Sequence, residues 1–435
     1  MKRLLLHSYL VLLCATVFAQ QPAATTTKVA VLVPGKPEAA GFSAERLQRI
    51  DANINQWIED GRLNGGVALI IRNGKIIYHK AFGYDDPEKT KPIRTDNIYR
   101  IASQTKAVTS VAIMMLYEEG KFLLDDPVSR YIPEFAKQQV LDKFNPADTT
   151  YTTVPAKSEV TIRQLLTHTS GISYPQIGTK EANAIYAKAH LMAGIGVDNS
   201  RSLAEDVKTI AKLPLMHQPG EKFTYGFNTD ILGYLVEYFS GISLDAFFQK
   251  RIFEPLGMSD TYFYLPASKH DRLVNLYVEK DKKLEKPGTM TDFNGAVFTD
   301  YPTMEKNTYY SGGGGLSSTA KDYAVFLQML LNGGTYNGKR LLSRNTVRMM
   351  TMNQIGDISR AGNKFGLGFG ITTPYGSSLL PTPEGVFEWG GAFSTTYWAD
   401  PKEKLIGIFY RQLWRSTIGE TANKFKVLVY SALND

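Results

Sequence analysis

Ile101-Ala102-Ser103-Gln104-Thr105-Lys106 lies between an extended segment, Asp96 to Arg100, and a helical run, Ala107 to Glu119. Residues three apart share a helix face, so this spacing brings the Lys106 amine to the Ser103 hydroxyl. A hydroxyl is a weak nucleophile until a neighbouring base takes its proton, and a helix N-terminus adds a partly positive setting with free backbone N–H groups. The chemistry suggested is acyl transfer. The chain also carries its own control, because Ser318-Thr319-Ala320-Lys321 repeats the pattern. There the serine follows a glycine run and precedes Asp322, which reads as the N-cap of a helix over Tyr323 to Leu331. Ser103 therefore needs support from elsewhere in the chain.

The sequence has 435 residues, enough for two packed lobes or one large domain. At 43% hydrophobic and 21% charged residues it reads as globular rather than disordered. Met1 to Ala19 reads as a signal peptide, with Lys2 and Arg3 ahead of an apolar run and Val17 and Ala19 at small-residue cleavage positions. No later run approaches the ~20 apolar residues of a membrane span, so export without a stable membrane anchor is expected. Cys14 is the only cysteine, and cleavage at Ala19 leaves neither a disulfide nor a thiol nucleophile. The net charge of +7 falls to +5 without Lys2 and Arg3. Its lysines and arginines are scattered, which argues against a nucleic-acid surface.

Gln20 to Ala40 reads as a mobile leader. Phe42, Leu47, Ile50, Ile54, Trp57 and Ile58 then recur at helical spacing after a Ser43 cap. Asn73-Gly74 between two apolar runs signals a hairpin. Asp125-Asp126-Pro127 is turn and cap chemistry rather than a glycosidase pair. Gln138 to Ser158 reads as a polar surface excursion, Val160 to Ile172 as a short helix ending in a turn, and Ala182 to Lys212 as helical. His168 reads as structural, since no G-x-S-x-G elbow accompanies it. No histidine pair has ligand spacing, so no metal or other cofactor is expected. Gly312 to Gly315 lacks the Lys-Ser/Thr ending of a phosphate loop and reads as a tight turn. Strand patterns return over Phe365 to Ile371, Gly385 to Trp389, Thr395 to Ala399 and Leu405 to Gln412, and Thr421 to Leu433 closes as a helix. The class expected is α+β: an antiparallel sheet built from both ends of the chain, flanked by helices, with a mostly helical middle. The α/β part spans about 41–100 and 300–435 and the helical part about 101–299, which together make one catalytic domain over 41–435.

Taken together, these landmarks resemble the serine β-lactamase and penicillin-binding protein superfamily, and within it the class C β-lactamase-like esterases and transacylases. The resemblance rests on Ser103-Gln104-Thr105-Lys106, Leu123 to Val128, the LLTHTSGI string ending at Ile172, Pro219-Gly220 before Phe223-Thr224-Tyr225, GGGGLSSTAKD from Gly312 to Asp322, and Trp389-Gly390-Gly391. It implies that Ser103 is acylated, that Lys106 activates it, and that Tyr225 relays protons. It implies an oxyanion hole from the backbone N–H groups of Ser103 and Ala392, with Trp389, Gly390 and Gly391 along the substrate. An unperturbed lysine is only about one part in 2,500 neutral at pH 7, so Lys106 and Tyr225 are treated as one coupled proton system. Two departures stand out. Trp389 replaces the Lys or His that opens the third motif in penicillin-binding proteins and there meets a substrate carboxylate. After Tyr225, where Ser-Asn is the pattern, Gly226-Phe227-Asn228 stands, which leaves Phe227 and Asn228 as supporting substrate contacts. The tryptophan points to esters, with an amide or β-lactam as the alternative small-molecule substrate. A non-catalytic penicillin-recognising or cell-wall-binding module is a third reading, and Arg411 is the residue to inspect for a substitute carboxylate partner.

Overall fold

The first ordered contacts come earlier than the leader reading allows. Strand β1 (Val33–Pro34) pairs in parallel with Lys75 and Ile76, the Leu32 amide donates to the Tyr336 hydroxyl at 3.1 Å, and Asn332 Nδ2 donates to the Ala30 carbonyl at 2.7 Å. The computed structural model describes residues 29–175, 177–192, 201–281, 283–286, 301–304, 308–414 and 416–434; Met1 to Ala19 and the first part of the leader lie outside them.

Ser43 caps helix α1 (Ala44–Glu59) by accepting from the Arg46 amide at 3.2 Å. Strands β2 (Gly65–Arg72) and β3 (Lys75–Gly83) come next, joined by Asn73 and Gly74 at φ 52° and 76°, the left-handed conformations a tight hairpin turn requires. All of β2 is buried, so both faces must be covered. Side chains alternate along a strand, and here Val67, Leu69 and Ile71 enter one core while Ala68 and Ile70 enter another with Ile50, Phe409 and Phe425.

Helix α2 (Thr105–Glu118) is buried from Thr105 to Leu116, as a helix apolar on nearly every side must be. Helix α3 (Ile162–Leu166) starts at a capping box between Thr161 and Gln164, and α4 (Asn228–Ser240) ends at a left-handed Gly241. Helix α5 (Ala320–Leu331) is capped by Thr319 rather than Ser318, because Thr319 Oγ1 accepts from the Asp322 amide at 3.1 Å. Beyond it come β4 (Lys364–Phe365), β5 (Gly370–Ile371), β6 (Phe387–Gly391), β7 (Thr395–Asp400), β8 (Leu405–Tyr410) and α6 (Glu420–Ser431).

The sheet order is β1-β3-β2-β8-β7-β6-β5-β4, antiparallel except at β1. Both ends of the chain thus share one sheet through the β2–β8 pair, with Val67 opposite Tyr410 and Arg72 opposite Leu405. Residues of α1 and α6 pack on one face, those of α2 and α5 on the other. This is the expected α+β sandwich. Details differ in the middle: the excursion after Gln138 folds as an exposed hairpin, Gln139–Phe144 with Tyr151–Pro155. The Ala182 to Lys212 pattern resolves into Lys180–Lys188 and Leu203–Ala211, with 193–200 outside the described residues.

Candidate functional site

The turn that carries Ser103 is fixed from several directions. Tyr99 and Arg100 pair with Ser318 and Ser317, the Ile101 amide donates to the Leu316 carbonyl at 3.0 Å, and Arg100 N donates to Gln412 Oε1 at 2.8 Å. Between these anchors Ala102 takes φ 45°, a left-handed conformation that costs an alanine roughly 1–2 kcal/mol. The surrounding structure holds that strain one residue before the serine.

Lys106 sits one turn further on, at the start of α2, and is almost fully buried. Its Nζ lies 3.4 Å from Ser103 Oγ, 3.2 Å from the Tyr174 hydroxyl and 2.6 Å from the Gly313 carbonyl, and 4.6 Å above the Tyr225 ring. The glycine run supplies that carbonyl. A Cβ on Gly313 would collide with Asp230 Oδ2 and come within 2.7 Å of the Tyr174 hydroxyl, so only glycine lets the backbone reach the amine. Asp230, the third residue of α4, accepts from Ser311 Oγ at 2.5 Å and the Gly313 amide at 3.1 Å on Oδ1, and from the Tyr174 hydroxyl at 3.4 Å on Oδ2. Burial pushes its carboxyl up, and the Lys106 charge pulls it back. Burial first, and then Asp230, raise the Tyr174 phenol well above its ordinary range.

Tyr225 closes the group from the loop before α4. Its hydroxyl accepts from Trp389 Nε1 at 3.3 Å, and its ring packs 4.8 Å from His168. His168 makes no hydrogen bond to Ser103; Asn228 Nδ2 donates to its Nδ1 at 3.0 Å, and burial together with Lys106 holds it well below the usual histidine range. It is a neutral prop for the tyrosine ring.

Ser103, Tyr225, Trp389, Gly390 and Ala392 line one cleft of about 560 Å³. Gly391 packs so closely on the Ile101 carbonyl that no side chain fits, and this brings the end of β6 against the serine turn. Phe227 and Asn228 are not in the cleft, and the reading of them as substrate contacts is corrected. A Cβ on Gly226 would stand 2.7 Å from Ser173 Cα, so the chain turns inward there as it enters α4. Phe227 is consequently wedged between Tyr174 and Tyr186, and Asn228 is buried against His168 and Ser170. Arg411 is also turned away: it is buried over the Phe409 ring, donates to Thr421 Oγ1, and burial pushes it down to about 9. Asp125 and Asp126 are tied to Arg163 and to the Leu123 amide, as turn chemistry requires.

A model of the family described as Beta-lactamase matches residues 50–429. The chain belongs to the Beta-lactamase family. Protein Rv1367c of Mycobacterium tuberculosis is 35% identical over 83% of this chain and 88% of its own length. Esterase EstB of Burkholderia gladioli is 29% identical over 84% of this chain and 90% of its own. The fold is shared with EstCE1, a hydrolase with promiscuous acyltransferase activity, at a TM-score of 0.75 and 24% identity over 90% of this chain and 99% of that one. This β-lactamase-fold chain is a serine hydrolase.

Tyr174, Asp230 and Gly313 escaped the sequence reading. The only signal for Tyr174 is its position two residues after the LLTHTSGI string. Arg360, which also lines the cleft, has no motif around it.

Proposed function

We propose that the protein is an exported esterase or acyltransferase in which carboxylic esters acylate Ser103. The observation that carries this reading is the convergence of Ser103, Lys106 and Tyr225 on a cleft walled by Trp389. Attack of Ser103 Oγ on the ester carbonyl releases one proton, which the Lys106–Tyr225 pair takes up. The same pair returns it to the departing alkoxide. In the second half a water or an acceptor alcohol gives its proton to the pair, attacks the acyl-enzyme, and Ser103 is reprotonated. The amides of Ser103 and Ala392 would hold the oxyanion, each worth roughly 3–4 kcal/mol in comparable enzymes. The 3.4 Å between Lys106 Nζ and Ser103 Oγ is loose for a hydrogen bond, as free active sites commonly are before substrate tightens them.

Purified protein should hydrolyse 4-nitrophenyl butyrate, and Ser103→Ala should lower kcat/KM by roughly three orders of magnitude or more. Unchanged turnover in that variant ends the reading. A chromogenic cephalosporin run alongside tests the alternative, since turnover matching that on the ester would favour β-lactams. Export is read from Met1 to Ala19, and N-terminal sequencing of the mature protein from a periplasmic fraction should begin after Ala19.

A further inference from the structure

The cleft holds three charged side chains: Arg360, Glu388 and Lys426. Glu388 and Lys426 are bonded to each other, so they cancel. Arg360 does not cancel. Among the described residues its guanidinium has no ion pair, and its Nε is buried with no hydrogen-bond acceptor. Its Cζ lies 5.0 Å over the Trp389 ring, and its Nη2 lies close to Gly370, where a Cβ would stand 2.9 Å away. A plain structural role, the arginine as a brace under the indole, accounts for the stacking. It leaves the acceptor missing at the buried Nε and the absence of an ion pair unexplained, and a buried donor without an acceptor is costly. Burial holds the guanidinium below the usual arginine range, with Glu388 drawing it partly back. Beside it, β5 pairs with β6 only at Phe387 and Glu388, which among the described residues leaves the outer edge of Trp389 to Gly391 without a strand neighbour.

We infer that Arg360 is a specificity residue that pairs with a carboxylate on the substrate while Ser103 attacks the ester. The inference rests on the esterase reading and narrows its substrate class to esters with an anionic group. One net positive charge and a single planar guanidinium fork suit a carboxylate better than a dianionic phosphate. The cation that the third motif lacks at Trp389 is thus delivered from the loop before β4. The carboxylate sits either on the acyl group or on the alcohol, and two substrate pairs separate these.

For the acyl side, 4-nitrophenyl hemiadipate is compared with its methyl-capped diester; for the alcohol side, 3-carboxyphenyl butyrate with phenyl butyrate. The wild type should favour the anionic member of one pair by about tenfold or more in kcat/KM. Arg360→Ala and the length-preserving Arg360→Gln should reduce that preference to within about twofold. Equal rates within both pairs for the wild type, or a preference that survives both substitutions, overturns the inference. Calorimetry with phenylboronic and 3-carboxyphenylboronic acids reads the same preference without turnover. If no ester is hydrolysed but the carboxylated boronate binds more tightly in an Arg360-dependent way, the esterase reading fails and the assignment of Arg360 stands. A cephalosporin also carries a carboxylate. Turnover of it above the anionic ester, lost in Arg360→Ala, would likewise revise the reaction and keep the residue.

Discussion

Asp230→Asn is the perturbation that most directly probes the setting of the buried Lys106. The Tyr174 hydroxyl bridges Lys106 Nζ and Asp230 Oδ2 at 3.2 and 3.4 Å, so the two charges are at most roughly 6.6 Å apart. At an effective dielectric of ~20 that spacing gives an attraction of ~2.5 kcal/mol, which the substitution removes. Asp230→Asn should therefore lower stability in urea by about 2 kcal/mol and, with Lys106 held less firmly beside Ser103, reduce kcat/KM on 4-nitrophenyl butyrate by roughly tenfold or more. Asparagine fits the site: its Oδ1 still accepts from Ser311 and Gly313, and its Nδ2 can donate to Tyr174. The assays are urea melts and kcat/KM on 4-nitrophenyl butyrate for both proteins. Stability and turnover both unchanged would refute the claim that Asp230 helps to hold Lys106 beside Ser103.

Gly313→Ala drives a methyl group into Asp230 and Tyr174. It should lower stability by about 1–3 kcal/mol in urea unfolding and cost activity at least tenfold, since the carbonyl that holds Lys106 must shift. Trp389→Phe keeps the aromatic wall but deletes the donor to Tyr225. The loss of one neutral hydrogen bond, about 0.5–1.5 kcal/mol, should lower kcat on aryl esters roughly two- to tenfold with the melting temperature little changed. Three histidines are held below their ordinary value mainly by burial: His79, His168 and His217, with Lys321, Lys106 and Lys222 adding to it in turn. The unfolded chain therefore takes up more protons below about pH 6.5, and their contribution to stability is complete above that pH and lost as pH falls through it. In urea melts, His168→Asn should flatten the decline below pH 6.5; an unchanged slope would place the effect elsewhere.

What the sequence disclosed and what it withheld divide along physical lines. The Ser103–Lys106 pair was legible because three-residue spacing on a helix is local geometry, and the hairpin at Asn73-Gly74 because a left-handed turn demands those residue types. The leader misled for the opposite reason. Strand β1 attaches through backbone groups at a sheet edge, and backbone pairing leaves little trace in side-chain pattern. Phe227 and Asn228 were misplaced because a motif match fixes only Tyr225. The path of the chain beyond that tyrosine depends on Gly226 resting against Ser173, a contact between segments some fifty residues apart. Gly313, Asp230 and Tyr174 meet at Lys106 from three separate stretches, and each alone reads as a turn, a helix residue and a core aromatic. Arg360 is the sharpest case. A lone arginine in a loop carries no signal until the sheet sets it over Trp389, and only then does the tryptophan that looked like the loss of a cation become the platform for one. Motif comparison locates the serine proposed as nucleophile in such a chain. The group recognised beside that serine depends on which loops the fold brings to the edge of β6, so the substrate must be sought from the charge in the assembled cleft.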